Sequence, residues 1–457
     1  MTEEKEVRNG KQYVQDMTQV NETSLLLKFT LPMLVGNIFQ QFYNMVDSII
    51  VGNYVGKNAL AAVGMTSSLN FLYFALCNGF ATGAGVLMSQ YFGMKNEKRV
   101  KDSIGNAVYL MFAMGLLVSI LAVAISRPVL VLLNTPDAIF DDALLYCRIV
   151  FGGLIAVVFY NGIAAMMRAL GDAKTPLIFL MIASVLNVVG DLVFVLNFNM
   201  GVAGVALATI IAQALSAIGC IIYAVLKNPY FRLSRENFKP DRMLLGKCIR
   251  LGVPFGFQGG LIAVSLVALQ SVVNQFGETV IAAFTATNRI EQLIQQPYNS
   301  LGSAVATFTG QNLGAGKEER VQRGYRKAVM IVVVFSLIMC SVMFLFGDNL
   351  VQLFVKDPEV VAIGGAGIRI PSLFYIPLGL IYAARSVLNG AGDSRFAFVS
   401  GIVEVVGRVG FSMVLASVPA IGYWAIWYTT GLTWLITAAV CVGRYMQGKW
   451  KQISLVK

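Results

Sequence analysis

Histidine is absent from the 457-residue chain, which removes the commonest metal ligand and the commonest neutral-pH proton shuttle. Any proton chemistry must therefore rest on carboxylates. Charge of either sign is scarce: Asp, Glu, Lys and Arg make up 13% of residues, about half the roughly 25% usual in soluble domains. The six cysteines, Cys77, Cys147, Cys220, Cys248, Cys340 and Cys441, stand singly and mostly in apolar stretches, without the paired spacing of a disulfide framework or a metal knuckle. They read as small packing residues. No phosphate-binding G-x-x-x-x-G-K-[ST] loop occurs. The nearest string, Gly314-Ala315-Gly316-Lys317 followed by Glu318, has the wrong spacing and lacks the hydroxyl, so ATP is not expected to drive this protein directly. Residues 1–22 are polar and mixed in charge, unlike a secretory signal, which needs an apolar run before its cleavage site.

What remains is hydrophobic. Apolar residues are 57% of the chain and mean hydropathy is +0.70, values that belong in a bilayer. Apolar stretches of about 20 residues, enough to cross roughly 30 Å of hydrocarbon as helix, occur about twelve times. They begin near residues 28, 65, 104, 142, 177, 204, 252, 283, 328, 363, 396 and 423. Lys and Arg concentrate in the even-numbered connections: Lys95, Lys98, Arg99 and Lys101, then Lys227 to Arg250, then Lys317 to Lys327. Short basic loops stay on the cytoplasmic side, so both termini are expected there. The net charge of +11 is then mostly a topology signal. No folded basic domain accompanies these loops, so nucleic acid is not an expected partner.

The chain also repeats itself at an offset of 221 residues. Gly56 to Ala62 (GKNALAA) returns as Gly277 to Ala283 (GETVIAA), Gln90-Tyr91-Phe92-Gly93 as Gln311-Asn312-Leu313-Gly314, Gly171-Asp172 as Gly392-Asp393, and Gly201 as Gly422. The expected architecture is an all-α integral membrane protein of twelve transmembrane helices, in two parallel six-helix repeats that form two bundles around a central cavity. The expected divisions are a cytoplasmic tail over 1–22, an N-lobe over 23–226, a cytoplasmic linker over 227–250, a C-lobe over 251–445 and a second tail over 446–457.

Without ATP a transporter must draw on an ion gradient, so ionisable residues inside the spans become the candidates. In the first span Asn37, Gln40, Gln41, Asn44, Asp47 and Ser48 form one polar stripe at helical spacing. Such a stripe cannot face lipid. Interhelical bonding alone explains its amides but explains Asp47 poorly. Pro32 gives this helix a place to bend. In the fifth span Asn187 and Asp191 lie one turn apart. Two carboxylates beside an amide suit either a proton or sodium, which takes oxygen ligands, so a sodium site at Asp47, Asp191 and Asn187 is one of two readings. The eighth span is polar for a membrane helix and must line a cavity: Asn288, Glu291, Gln292, Gln295 and Asn299 mark its stripe, and Asn299 repeats Asn78. Arg289 is close enough in sequence to offset Glu291. Glu404 and Arg408, four apart in the eleventh span, can neutralise each other, and Arg408 repeats Asn187. Aromatic and sulfur side chains such as Phe42, Tyr43, Met45, Tyr160, Met166 and Met167 could form an adaptable wall for varied ligands.

Several of these segments in family order, LPMLVGNIFQQFYNMVDSIIVGNYVG, ALGDAKTP, NVVGDLVFV, GVAGVALAT and TGQNLGAGK, resemble the multidrug and toxic compound extrusion (MATE) family over nearly the whole chain. The resemblance implies an inner-membrane antiporter that expels organic cations or amphiphilic drugs in exchange for protons or sodium, by rocking two bundles about a central cavity. By position it implies that Asp47, Asn187 and Asp191 form the coupling site, that Tyr146 and Thr209 add hydrogen bonds there, and that Pro32 is the hinge. One branch of the family carries a seventh-helix glutamate. The seventh span here offers only Gln258, Gln270 and Asn274, and Glu291 could substitute. The cavity set is then Gln40, Asn44, Asn78, Gln258, Asn288, Glu291, Gln292, Gln295, Asn299, Glu404 and Arg408.

No cofactor beyond the coupling ion is expected, no enzymatic activity, and no partner beyond the small-molecule substrate and membrane lipid. A self-contained two-bundle chain can work as a monomer. A lipid-linked precursor flippase of the same broader superfamily is the main alternative, and would be expected to line its cavity with more cations. A remoter one is an intramembrane aspartyl protease, from the G-x-G-D string Gly390-Ala391-Gly392-Asp393. Asp393 falls in a predicted turn and repeats Asp172, which favours a capping role.

Overall fold

The computed structural model describes residues 15–453 and 455, with only the backbone of Ser67 and Ser68. Of the two expected tails, residues 1–14, 454, 456 and 457 lie outside the described residues. The fold is all-α, and no strand occurs among the described residues. Its helices are α1 Glu22–Ile50, α2 Lys57–Gly93, α3 Glu97–Leu132, α4 Asp137–Gly152, α5 Leu154–Ala169, α6 Lys174–Leu192 and α7 Gly201–Lys227, then α8 Arg242–Val273, α9 Glu278–Gly314, α10 Glu318–Gln352, α11 Pro358–Ser372, α12 Tyr375–Ala391, α13 Ser394–Ala416 and α14 Ala425–Met446.

The repeat of the sequence reappears in the backbone. Helices α2 and α9 match end for end at the offset of 221. Among the described residues, eight of the eleven at positive φ come as repeat pairs, Gly56 with Gly277, Gly171 with Gly392, Gly201 with Gly422, and Lys95 with Gly316, while Asn134, Asn199 and Gly448 stand alone. Turns that need the left-handed region are where glycine has its strongest claim, and three of the four pairs have glycine on both sides.

Among the described residues, eight helices are long and apolar enough to cross a membrane, or ten if each of two bent pairs is one span. The bent pairs are α4 with α5 (46°) and α11 with α12 (49°). The sequence shows each as one uninterrupted apolar run, but the helix breaks at Gly153 and, at the repeat position, at Phe374. The expected twelve also counts α1 and α9, which span 29 and 37 residues but are not among the helices apolar enough to qualify. Most helices start several residues before the apolar run that marks them. Hydropathy reports the part inside hydrocarbon, while backbone hydrogen bonding continues into the polar flanks. Helices α3 and α10 expose rows of large apolar side chains, among them Phe112, Leu116, Leu117, Ile120 and Leu121, and Met330, Val334, Leu337 and Ile338. Water would not tolerate such patches; lipid does.

The chain divides into two compact units. One comprises Leu31–Gly256 with the described residues up to Gln19, the other Phe257–Leu455 with Val20–Thr30. In the first unit, glycines let helices approach to backbone contact: a Cβ added at Gly79 would lie 2.1 Å from the Gly256 nitrogen, and one at Gly83 would lie 2.8 Å from the Gly252 nitrogen. Both helices thus carry a small-xxx-small pair at one crossing.

Residues 229–241, between α7 and α8, do not hang free. Asn106 of α3, 1% exposed, donates from Nδ2 to the Lys239 carbonyl (3.3 Å) and accepts at Oδ1 from the Asp241 N–H (2.8 Å). Asn237 Nδ2 donates to Asp102 Oδ1 (2.8 Å) and Tyr109 Oη to the Phe238 carbonyl (2.6 Å). Arg99 pairs with Asp241 at 2.8 Å. Partial burial raises the Asp241 carboxyl, but the Leu244 N–H, Arg99 and the Met243 N–H outweigh it and hold the group below the ordinary Asp range. The segment is part of the first unit.

Candidate ion-coupling site

In the first unit, α1 brings Asp47 and α6 brings Asp191 to one place, where their carboxyl groups face each other. Asp191 is fully buried and Asp47 half-buried. Neither Asp191 oxygen has a hydrogen-bond partner, nor has Asp47 Oδ1. Among the described residues no Lys or Arg forms an ion pair with either carboxyl. Tyr43 from α1 and Tyr146 from α4 feel the charge of both carboxylates. Asn187 Nδ2 donates to Thr209 Oγ1 of α7 at 3.2 Å, which fixes the amide and leaves Asn187 Oδ1 unpartnered. A narrow crevice beside this group is lined by Tyr43, Ser184, Asn187, Thr209 and Gln213.

The backbone is unusual beside both carboxylates. After Asp47, α1 winds into a π turn over Val51–Val55, and after Asp191, α6 does the same over Val193–Asn197. The Gly56 and Phe198 N–H groups reach back five residues, to the Val51 and Val193 carbonyls, and the two π turns contact each other. Single π turns of this kind recur at functional sites because they release a side chain from regular register.

The second unit is organised around paired charge. Glu404 bonds Arg385 at 2.5 Å, so its ion-pair partner is not Arg408, the residue its spacing suggested. Arg408 instead donates from Nη1 to Ser265 Oγ of α8. Glu291 is buried and lies within electrostatic reach of Arg408, whereas Arg289, the expected neutralising neighbour, is exposed. Gln258 donates to Ser400 Oγ at 2.8 Å, and Tyr382 reaches Gln295 Oε1 at 3.4 Å. Asn288 and Gln295 are half-buried, while Gln292 and Asn299 are exposed. Of the polar positions in the first unit, Gln40 and Asn78 are half-buried and Asn44 is exposed.

Asp393 of the G-x-G-D string is buried against Arg444, whose Nε donates to it at 2.8 Å. Its repeat twin Asp172 caps α6, accepting from the Lys174 and Thr175 N–H groups and from Thr175 Oγ1. Both are structural turn residues, so the string that suggested a protease serves the fold.

Tyr43 was expected in a ligand-binding wall and not in the coupling site, and Arg385 stood outside the expected sites altogether. Tyr43 precedes Asp47 by four residues, so its place on the same face was readable from helical spacing. Arg385 belongs to a different helix from Glu404, and no sequence spacing reports that meeting.

The MatE family model matches residues 32–193 and 254–414, one match in each half. The probable multidrug resistance protein YpnP of Bacillus subtilis is 30% identical over 96% of this chain and 98% of its own length. The multidrug export protein MepA of Staphylococcus aureus is 21% identical over 91% of both. Among solved structures, an outward-facing multidrug resistance MATE family transporter of the MOP superfamily aligns with a TM-score of 0.88 at 22% identity, over 95% of this chain and 98% of that one. A MOP superfamily transporter from Pyrococcus furiosus aligns at 0.89, with the same identity and coverage. The family match in both halves and the full-length relatives lead to one conclusion: the chain is a membrane transporter of the MATE family, the multidrug and toxic compound extrusion proteins.

Proposed function

We propose that this transporter exports organic cations or cationic amphiphiles in exchange for a proton or a sodium ion, and that the exchange takes place at Asp47 and Asp191. The observation that carries the reading is the facing pair of carboxyls without a cationic partner. Two unit charges about 4 Å apart repel by roughly 4 kcal/mol at an effective dielectric of about 20. A bound proton or monovalent cation removes that repulsion, and so does a cationic substrate nearby, so ion and substrate compete for the same negative charge. Asn187, Thr209 and Tyr146 supply the neutral oxygens that would complete an ion's shell.

Alternating access then needs α1 to move. The division between the two units passes through α1 between Thr30 and Leu31, one residue from Pro32, where the proline removes a helical hydrogen bond. This supports Pro32 as the bend that exposes the site to one side or the other. The basic connections support a cytoplasmic membrane orientation with both termini inside.

The test is efflux of a fluorescent organic cation from proteoliposomes under separately imposed proton and sodium gradients. Wild type should move dye under one gradient, and Asp47→Asn and Asp191→Asn should lose gradient-driven efflux by tenfold or more. Full efflux in both variants overturns the reading. Failure of the wild type to move the dye under either gradient redirects attention to anionic or lipid-linked cargo.

A further inference from the structure

The two halves share one backbone plan, which makes their differences at repeat positions informative. At the offset of 221, Asp47 corresponds to Ala268, Asp191 to Ser412, Asn187 to Arg408 and Asn44 to Ser265. Both carboxylates of the first unit are therefore replaced in the second. No π turn stands at the repeat positions: 272–276 holds the end of α8 and a 3₁₀ turn at Asn274–Phe276, and 414–418 runs past the end of α13 at Ala416.

A fixed cation stands where the repeat leaves the acids out. Arg408 is 4% exposed and reaches from α13 to Ser265 on α8, the two helices that repeat α6 and α1. In the first unit those helices carry the facing acid pair; in the second they are joined by a guanidinium. Arg408 lies within electrostatic reach of Glu404, Glu291 and Arg385, and Glu404 is already bound to Arg385. Glu291 is then the acid left facing Arg408. A buried guanidinium cannot lose its proton, so this positive charge cannot leave as a proton or sodium ion does.

We propose that Arg408 is a tethered counter-cation, occupying in the second unit the place that the exchanged ion takes in the first, so that each cycle is coupled at one site only. The inference rests on the coupling reading of Asp47 and Asp191. It adds that the second unit is barred from ion exchange by one residue, and that Glu291 becomes a second cation site once that residue is removed.

The experiment measures the ratio of ions to ethidium exchanged in proteoliposomes, from the ion gradient that just halts net ethidium movement. Glu291→Gln should alter the rate without altering the ratio, and Arg408→Lys, which keeps the charge, should keep it too. Arg408→Gln should raise the ratio by about one monovalent cation, and the double variant Arg408→Gln with Glu291→Gln should return it to the wild-type value. A ratio lowered by Glu291→Gln alone overturns the inference, and so does an unchanged ratio in folded Arg408→Gln. If Arg408→Gln does not insert, Glu291→Gln and Arg408→Lys still decide: an unchanged ratio in both sustains the proposal and a changed one refutes it. Loss of coupling in Asp191→Asn is read separately, so the coupling site can stand while the tethered cation falls.

Discussion

Asn106→Ala should undock the segment between the repeats while leaving the helices in place. Asn106 makes three hydrogen bonds: to the Asp102 carbonyl (2.9 Å) within α3, and to the Lys239 carbonyl and Asp241 N–H across the contact. Each net bond is worth about 0.5–1.5 kcal/mol, and a buried group left without a partner costs about 1–3. Lys239 is exposed and Asp241 half-buried, so water recovers part of the loss, and about 3 kcal/mol is a reasonable sum. That corresponds to roughly a hundredfold larger open population, because about 1.4 kcal/mol is a factor of ten. Where opening is fast relative to cleavage, proteolysis follows that population. Trypsin should therefore cut at Arg232, Arg235 and Lys239 roughly a hundredfold faster in the variant, read as fragments by mass spectrometry. Gly105→Ala reaches the same end without deleting a hydrogen bond, since its Cβ would sit 2.2 Å from the Asn237 carbonyl oxygen. Cleavage within about threefold of wild type in both folded variants would show that the segment is not held by this contact.

Gly79→Ala should lower the thermal midpoint of the detergent-solubilised protein, by about 2–3 kcal/mol of stability, because its Cβ meets backbone that no rotamer change can move. Gly64→Ala, with nothing within 4 Å of the new Cβ, should be neutral or stabilising by about 0.5–1 kcal/mol. The Asp241 carboxyl is held below the ordinary Asp range, so its ionised form stabilises docking above that range and the contribution disappears as pH falls through the folded value. Exchange of the Phe238 amide, corrected for its intrinsic rate, should accelerate over that acid interval in wild type, and Asp241→Asn should lack the transition.

Much of the architecture is legible in the sequence, since both of its signals are periodic. Apolar runs mark where hydrocarbon is crossed, and the offset of 221 carries over to the ends of α2 and α9 and to three glycine pairs at positive φ. Helical spacing likewise puts Asn187 with Asp191 on one face, and Tyr43 with Asp47 on another. What spacing cannot report is which faces of different helices meet. The partnership of Arg385 with Glu404, the grip of α3 on residues 229–241, and the approach of Asp47 to Asp191 are all events between helices. The bends at Gly153 and Phe374 and the two π turns escape for another reason: they are changes in backbone winding inside runs whose hydrophobicity does not change.

The contrast between the halves also indicates how a duplicated transporter can specialise. Duplication supplies two copies of every backbone device, including two places where a helix pair could hold an ion. If both stayed active, each cycle would have to fill or empty two sites before the chain could change state, and a weakly bound second ion would slow the exchange or uncouple it. Replacing one acid site by a guanidinium bonded to the facing helix retains the helix contact and removes the second requirement. A buried ion pair adds little net stability compared with apolar packing, so the Arg385–Glu404 pair with Arg408 beside it is poorly explained as a stabilising device. On the proposed role of Arg408 as a tethered cation, the ratio of ions to substrate, rather than thermal stability, is the property most sensitive to it.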